Sequence, residues 1–176
     1  KTPAQLQPAV RLALKYDDKV VIEKGLDARE IECAVLGDPW AKPSDRLCAK
    51  ASIVGEVVPN AEFYDYKAKY IDAQGARLVI PAELSADAAR QAQEFALLAF
   101  RTLDCYGMAR VDFLLERSEG TLYFNEVNTI PGLTPASLYP LLWKASGVPT
   151  PKLIDTLVDL ALRRHRRRSR LKTAVS

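Results

Sequence analysis

The sequence predicts an α+β (mixed α/β) fold with an antiparallel-rich sheet flanked by helices. The first observation is a pair of strand-like runs, Gly107–Glu116 and Leu122–Asn128, in which polar residues recur at alternate positions. Residues 118–120, with sequence Ser-Glu-Gly, supply a turn between them, so the two runs predict a hairpin. The second observation is that apolar residues recur at helical spacing on either side of this hairpin. Helices combined with hairpin-linked strands favour an antiparallel sheet.

Composition places the chain among ordinary globular proteins. Of its 176 residues, 48% are hydrophobic and 27% are charged, which excludes the disordered and collagen-like classes. This length can bury one core, or one domain and part of a second. No apolar run approaches the ~20 residues of a spanning helix, and residues 1–5 lack the apolar core of a secretory signal. We therefore expect a cytoplasmic protein with no membrane partner.

The three cysteines predict neither a zinc site nor a disulfide framework, because they are odd in number and widely spaced. Cys33 and Cys105 lie in apolar-rich segments, where a thiol behaves as a small hydrophobic group. Cys48 lies in a polar loop, and we expect it to be exposed.

The positive charge is concentrated at one end of the chain. The net charge is +3, but residues 163–172 hold seven of the 25 Lys and Arg and no acids, which leaves 18 basic and 22 acidic residues, net −4, elsewhere. Any nucleic-acid binding would rest on this segment alone. We interpret residues 163–176 as a disordered, solvated basic tail and expect no nucleic-acid partner. His165, surrounded by arginines, is a poor base or metal ligand.

The first third of the chain reads as one helix and three strands. Ala4–Leu14 has the spacing of a short amphipathic helix, and Val20–Ile22 reads as a buried strand. Arg29–Gly37 alternates as a strand with one buried face, and Ala51–Val58 as a further strand. The polar stretch Trp40–Ala49 predicts an exposed loop.

The rest of the chain predicts a turn and three helices. Gln74-Gly75 marks a turn before a strand at Arg77–Ile80. Ser85 is a suitable cap for a core helix that runs to about Leu103. A short helix follows Ser137, and Thr150-Pro151 opens a helix that we expect to end near Leu162. The core stripe of the helix from Ser85 is predicted to comprise Ala92, Phe95, Ala96, Ala99 and Leu103, with Phe100 beside it.

The central hairpin carries the candidate chemistry. Arg110 and Asp112 share one face of their strand, and Glu126 and Asn128 share one face of theirs, because side chains repeat every two residues. If the faces coincide, two carboxylates and an amide oxygen form a hard ligand set of the kind that holds Mg²⁺ for a nucleotide. The alternative is that these acids are solvated, as isolated carboxylates on strands usually are.

Several motifs together resemble one family. The hairpin carries Gly-Met-Ala-Arg-Val-Asp from Gly107 and Phe-Asn-Glu-Val-Asn-Thr-Ile-Pro-Gly-Leu-Thr from Phe124, followed by Ser-Leu-Tyr-Pro from Ser137. Upstream stand Glu-Lys-Gly-Leu from Glu23 and Phe-Tyr-Asp-Tyr-Lys-Ala-Lys-Tyr from Phe63. These motifs, in this order, closely resemble the carboxy-terminal half of the D-alanine–D-alanine ligases, which are ATP-grasp enzymes. The resemblance extends from about Val20 to Leu162.

The resemblance implies a fold and a reaction. The fold would be part of the ATP-grasp central lobe plus the carboxy-terminal lobe, with residues 1–24 a remnant of the former, residues 25–162 the latter, and residues 163–176 the basic tail. The reaction would join two D-alanines through an acyl phosphate at the expense of ATP, with two Mg²⁺, or Mn²⁺ as a substitute. D-Alanine, a missing amino-terminal domain and a second copy in a homodimer would be the partners.

The resemblance also implies roles for individual residues. Glu23, Lys24, Leu26, Glu30, Lys69 and Asn125 would bind the nucleotide, and Asp112, Glu126 and Asn128 would hold the metal ions. Arg110, Tyr70, Gly132 and Ser137 would serve catalysis, and Leu138 would join these four in substrate binding. In a plainer interpretation, Glu30 pairs with Arg29 or Lys24 at a charged strand terminus.

Other functions remain open on sequence alone. A D-alanine–D-lactate ligase or a carboxylase relative would share the fold, although Phe63–Tyr70, interpreted as a lid, favours the dipeptide-forming type. The same aromatic and lysine composition suits stacking on single-stranded nucleic acid. A non-catalytic module with an anion-binding tail is a third class. We expect the 176-residue chain alone not to turn over, because the family places further substrate-binding parts ahead of residue 1.

Overall fold

A single antiparallel sheet organises the chain. The computed structural model describes residues 2–59 and 76–172. The sheet has the strand order β3-β2-β1-β4-β5, and every neighbouring pair is antiparallel. The predicted antiparallel sheet with flanking helices is therefore confirmed. In chain order the elements are α1 (Pro3–Ala13), β1 (Ala28–Gly37), β2 (Lys50–Pro59), β3 (Ala76–Val79), α2 (Ala86–Thr102), β4 (Gly107–Glu116), β5 (Leu122–Asn128), α3 (Leu138–Ala145) and α4 (Thr150–Arg168).

Strand β1 lies in the middle of the sheet and is covered on both sides. It pairs with β4 along its whole length, from Ala28 opposite Glu116 to Gly37 opposite Gly107. Residues 31–37 are all buried, so the expectation of a single buried face is wrong. The reason is that helices cover the sheet from both sides: Ile31 belongs to the core under α2, whereas Ala34 belongs to the core under α3 and α4.

Helix α2 forms one of these layers. Its predicted cap is confirmed, because the Ser85 hydroxyl accepts a hydrogen bond from the backbone N–H of Ala88. The side chains that enter the core recur every four residues, a narrower stripe than the sequence suggested. Phe95 and Leu103, expected in that stripe, are instead 39% and 56% exposed and border an apolar groove with Phe124. The buried residues of the helix are Ala92, Ala96 and Phe100.

Helices α3 and α4 form the other layer. Tyr139 of α3 is buried, and its hydroxyl donates a hydrogen bond of 2.9 Å to the carbonyl of Val35. Helix α3 approaches β2 closely where β2 carries Gly55, because a Cβ there would lie 2.9 Å from Cδ2 of Leu142. Burial raises the pKa of Tyr139 above its ordinary value. This layer fixes the start of α3 relative to the sheet.

The segment before β1 differs from its prediction. Helix α1 forms as expected, but none of its residues is buried. The expected buried strand at residues 20–22 is wrong, because Val21 and Ile22 are 74% and 67% exposed and residues 17–27 form no strand. A strand needs a hydrogen-bonded neighbour, and no strand in residues 2–59 or 76–172 pairs with this segment.

The loop between β1 and β2 is only partly exposed. Leu47, Cys48 and Ala49 are buried, so the expected exposure of Cys48 is wrong, while Cys33 and Cys105 are buried as predicted. The loop end is tied back to β1 by two backbone hydrogen bonds, from Asp38 N–H to the Leu47 carbonyl and from Ala49 N–H to the Asp38 carbonyl. These bonds hold Cys48 against the sheet.

The arginine-rich segment is helical through Arg168, beyond the expected end at Leu162. The expectation of disorder therefore fails for residues 163–168. Arg163 pairs with Asp45 at 2.7 Å, and the guanidinium groups of Arg164 and Arg167 lie 4.9 and 5.6 Å from the centre of the Tyr106 ring. Cations at the carboxyl end of a helix are also favoured by its dipole. These contacts extend α4 by more than a turn.

Some predictions lie outside the described residues. They are the lid at residues 63–70 with Lys69 and Tyr70, the turn at Gln74-Gly75, and residues 173–176 of the basic tail. The division of the chain at residues 24 and 162 stays a prediction. Within the described ranges, no helix combines the length and apolar character needed to cross a membrane.

Candidate functional site

The β4–β5 hairpin brings four polar residues face to face. Its register places Arg110 opposite Asn128 and Asp112 opposite Glu126. Residues directly opposite each other in an antiparallel pair point to the same side of the sheet. The expectation that the two polar faces coincide is therefore confirmed.

A bulge shapes the outer strand of this hairpin. The register shifts after Asp112, so that Phe113 faces Phe124 and Asn125 is the extra residue. A bulge bends its strand and re-aims nearby side chains, and here Asn125 and Glu126 are both exposed. Beside the bulge the rings of Phe113 and Phe124 meet edge to face, with centroids 6.3 Å apart, so the two strands also pack through their side chains.

Arg110 is the centre of a buried ion cluster. Its Nε and Nη2 donate to Oδ1 and Oδ2 of Asp112 at 2.8 and 2.7 Å, a bidentate pair. The same Nε lies 2.8 Å from Oε2 of Glu32 on β1. Asp112 is fully buried and Glu32 is 3% exposed. One guanidinium thus neutralises part of the charge of two carboxylates on adjacent strands.

The electrostatics of the cluster keep Arg110 charged. Burial acts most strongly on its pKa and lowers it, but the hydrogen bonds to Asp112 and the charges of Glu32, Asp112 and Glu126 outweigh this effect. The net result is a pKa well above the ordinary value of an arginine side chain. Arg110 is thus a permanent cation that faces a polar cavity.

Glu32 was not among the predicted site residues. In the sequence it stood on the face of β1 assigned to solvent, together with Glu30. In the structure Glu32 lies opposite Asp112 in the β1–β4 register, so it shares a face with the polar side of β4. The sequence does show acids at alternate positions of β1, but that β1 lies beside β4 is seen only in the structure.

The loop after β5 closes the site from one side. Asn128 Oδ1 accepts a hydrogen bond from the backbone N–H of Ile130 at 3.2 Å. Gly132 lies so close to Ser137 that a Cβ at Gly132 would be 2.7 Å from the Ser137 hydroxyl oxygen. Ser137 directly precedes α3, whose first residue is Leu138. The loop thus places a glycine, a hydroxyl and a helix amino terminus side by side.

A cavity of about 240 Å³ lies between this loop and the sheet. Its polar wall comes from strands β1, β4 and β5, and its apolar wall from β2, β3 and the start of α3. Of the predicted site residues, the structure brings five to this cavity. They are Glu30, Arg110, Asn128, Gly132 and Leu138.

The structure brings only some of the residues predicted to bind the nucleotide into one cavity. Leu26 and Glu30 line an adjoining cavity of about 160 Å³. Glu23 lies instead in a separate cleft beside α1, and the ammonium group of Lys24 lies 5.9 Å from the centre of the Tyr123 ring. Arg29 makes a bidentate pair with Glu56, at 2.8 and 2.6 Å. The plainer interpretation of Glu30 as a partner of Arg29 or Lys24 stays a prediction.

The donor set of the hairpin suits a hard divalent cation. Among the described residues, no three His, Cys, Asp or Glu side chains form a metal-holding group. Mg²⁺ does not need such a group, since it usually takes one or two carboxylates and completes its shell with phosphate and water. Asp112 and Glu126 supply two carboxylates, and the neighbouring Asn128 supplies an amide oxygen. The residues present therefore fit Mg²⁺ bound together with a phosphate.

Comparison with known sequences identifies the relatives. The sequence pattern of the family described as D-ala D-ala ligase C-terminus matches residues 1–159. A D-alanine–D-alanine ligase from Thermoanaerobacter sp. (strain X514) is 50% identical over 166 residues, covering 94% of this chain and 44% of the relative. D-alanine–D-alanine ligase A from Salmonella typhimurium is 46% identical over 172 residues, covering 98% and 45% respectively. The chain thus spans less than half the length of these relatives.

Solved structures give the same result. A D-alanine–D-alanine ligase from Coxiella burnetii matches with a TM-score of 0.79 at 38% identity, over 96% of this chain and 42% of that one. A D-Ala:D-Ser ligase from Enterococcus faecalis matches with a TM-score of 0.74 at 33% identity, over 90% and 43%. The fold is that of these ATP-grasp enzymes, and the chain belongs to the D-alanine–D-alanine ligase family, of which it represents the carboxy-terminal part.

Proposed function

We propose that this chain is the carboxy-terminal catalytic part of an ATP-dependent ligase that joins two D-alanines into D-alanyl-D-alanine for peptidoglycan synthesis. The observation that carries the proposal is the register of β4 and β5, in which Arg110 and Asp112 face Asn128 and Glu126 beside the cavity. A permanent cation next to a hard-oxygen donor set is the combination that phosphoryl transfer requires.

In the first step the carboxylate of one D-alanine attacks the γ-phosphorus of ATP. The bond between that phosphorus and the bridging oxygen of ADP breaks, and an acyl phosphate and ADP result. Arg110 stabilises the negative charge on the transferring phosphoryl oxygens by charge-assisted hydrogen bonds. Two Mg²⁺, replaceable by Mn²⁺ and held by Asp112, Glu126 and Asn128, would supply charge neutralisation at the phosphates.

In the second step the amino group of another D-alanine attacks the acyl carbon. The C–O bond to phosphate then breaks, and the departing phosphate takes up the proton that the amine loses. The backbone N–H of Gly132 donates to the oxyanion of the tetrahedral intermediate, together with Arg110. Ser137 and the N–H of Leu138, at the amino terminus of α3, receive the carboxylate of the second D-alanine, because a helix amino terminus attracts anions.

The nucleotide would be held by residues on both sides of β1. We propose Glu23, Lys24 and Leu26 for the base, Glu30 for the ribose hydroxyls, and Asn125 together with Lys69 for the phosphates. Tyr70 would contact the substrate from the lid, where it helps to exclude water from the acyl phosphate. A second copy of the complete enzyme, in a homodimer, is the proposed protein partner.

The test is product analysis with a complete ligase that carries this chain as its carboxy-terminal part. ATP, Mg²⁺ and D-alanine are supplied with equimolar D-lactate and D-serine at pH 7, and products are identified by mass spectrometry. We expect D-alanyl-D-alanine to dominate. Dominant ester formation with D-lactate would favour the depsipeptide-forming type, and dominant D-alanyl-D-serine would place the chain with the D-Ala:D-Ser relative. ATP hydrolysis with no ligated product would contradict the proposal.

A further inference from the structure

Glu32 is a buried carboxylate in the middle of the sheet. It is 3% exposed and lies opposite Asp112 on one side and Gly55 on the other. Burying a carboxylate is costly unless a cation compensates its charge, and removing one partner of a buried pair is more costly still. The cation at hand is Arg110, whose Nε is 2.8 Å from Glu32 Oε2. Glu32 is therefore bound to the same guanidinium that the proposed reaction uses.

The carboxylate oxygens of Asp112 take part in two interactions, one observed and one proposed. Both oxygens accept hydrogen bonds from Arg110, at 2.8 and 2.7 Å. The proposed function also asks Asp112 to ligate a metal ion, and each oxygen that turns toward a cation weakens its hold on the guanidinium. Arg110 would then lose its orientation toward the phosphoryl group at the stage at which it must act. A second buried carboxylate on the neighbouring strand removes this conflict.

We propose that Glu32 is a positioning residue that anchors the Arg110 guanidinium from β1, so that Asp112 can ligate the metal without releasing Arg110. This inference rests on the proposed function for its catalytic part, whereas the anchoring itself rests on the observed ion pair alone. Glu32 borders the same cavity as Arg110. It acts through the position of Arg110.

Two variants separate charge from length. Glu32→Gln keeps the size of the side chain and removes its charge, and Glu32→Asp keeps the charge and shortens the reach. Glu56→Gln is the matched control, because Glu56 is also a buried carboxylate of the sheet, paired with Arg29 at 2.6 Å and located on the opposite face. Circular dichroism establishes that each variant is folded before it is measured.

The first measurement is solvent exchange of the Arg110 Nε–H in the isotope-labelled 176-residue chain, without metal or nucleotide and with Asp112→Asn as the common background, because Asp112 itself accepts the Nε–H hydrogen bond in the unsubstituted chain. We expect Glu32→Gln to accelerate this exchange at least about tenfold, Glu32→Asp to give an intermediate rate, and Glu56→Gln to leave it unchanged. A structural role of Glu32 limited to packing would not alter exchange at this one nitrogen. Unchanged exchange in Glu32→Gln overturns the proposal.

The second measurement is steady-state kinetics of the complete ligase. A misplaced catalytic group costs about 100-fold in rate, so we expect Glu32→Gln to lower kcat by about that factor with KM for ATP and D-alanine within threefold. Partial recovery of kcat in Glu32→Asp supports positioning. Faster exchange with an unchanged kcat overturns it. If the parent ligase makes no dipeptide, the proposed function fails, and the catalytic role of Glu32 fails with it. The exchange rate of the Arg110 Nε–H tests the Glu32–Arg110 ion pair independently of that outcome.

Discussion

Gly132 and Ser137 are in such close contact that a side chain at Gly132 would displace the Ser137 hydroxyl. A Cβ at Gly132 would lie 2.7 Å from Ser137 Oγ and 3.4 Å from Ser137 Cβ. That hydroxyl also accepts a hydrogen bond from the Thr134 N–H at 3.1 Å and lies 2.8 Å from the Thr134 hydroxyl. A Cβ at Gly132 would therefore force the Ser137 hydroxyl to move away from the position in which its own loop holds it.

We predict that Gly132→Ala raises KM for the second D-alanine by about tenfold or more, equivalent to roughly 1.4 kcal/mol. The added methyl group pushes Ser137 Oγ off its bonds with Thr134, and the proposed carboxylate site loses its hydroxyl. The measurement is initial rate against D-alanine concentration in a complete ligase with this chain as its carboxy-terminal part.

A double-mutant cycle gives the control for Gly132→Ala. If the methyl group acts through Ser137 Oγ, adding Gly132→Ala to a Ser137→Ala background should cost much less than it does alone. Fully additive effects would show that the two residues act independently and would contradict this account of the loop.

A second prediction concerns stability and pH. The hydrogen bonds and charge of Arg29 hold the pKa of Glu56 below its ordinary value of 4.5. The ionised form is thus favoured in the folded state, so this pair stabilises the fold fully above the unfolded pKa, and the stabilisation is lost as pH falls through the folded pKa. We expect Glu56→Gln to lower the free energy of unfolding by about 1.5–3 kcal/mol at pH 7, the value of a hydrogen bond to a charged group.

Urea unfolding of the 176-residue chain at pH 7 and again at pH 3 or below measures this difference. The difference in free energy of unfolding between wild type and Glu56→Gln should be smaller at the lower pH, because Glu56 is then increasingly protonated. A difference of equal size at both values would mean that the charge of Glu56 does not stabilise the fold.

Local patterns predicted the hairpin and the helices because their causes are local. The turn at residues 118–120 and the period-two alternation around Arg110 determine a hairpin whatever surrounds it. The Ser85 cap and the apolar spacing after it determine a helix in the same way, and the structure has both. The resemblance to the ligases, confirmed by the comparisons, supplied what these patterns could not.

Predictions that depended on distant contacts were less successful. The alternation of Glu32 with Ile31 is typical of a half-buried strand and predicts a solvent-facing Glu32, whereas helices packed from both sides bury the whole of residues 31–37. The exposed segment around Val21 reads as a strand by composition but has no pairing neighbour in the described residues. Neither the strand order nor the packing of α3 on the sheet is encoded within a few residues of these positions.

The arginine-rich segment illustrates the same limit. A run of like charges predicts a solvated end. In the structure, Arg163 donates a hydrogen bond to Asp45, more than a hundred residues earlier in the chain. The guanidinium groups of Arg164 and Arg167 lie over the Tyr106 ring. Local sequence patterns cannot predict such pairs, because the two residues are far apart in the sequence. The roles proposed for Asp112, Glu126 and Asn128 stay predictions, because a register establishes which side chains face one another and leaves open what they bind.

We propose that these three residues hold the metal ions of a phosphoryl-transfer site. The most direct measurement is anomalous diffraction from crystals of a complete ligase, with this chain as its carboxy-terminal part, grown with Mn²⁺ and ATP or ADP. We expect Mn²⁺ peaks at about 2.0–2.2 Å from oxygens of Asp112, Glu126 and Asn128, near the distance of Mg²⁺ ligands, with Arg110 adjacent to the bound phosphates. Mn²⁺ held by other carboxylates, with none of these three in its shell, would contradict this proposal.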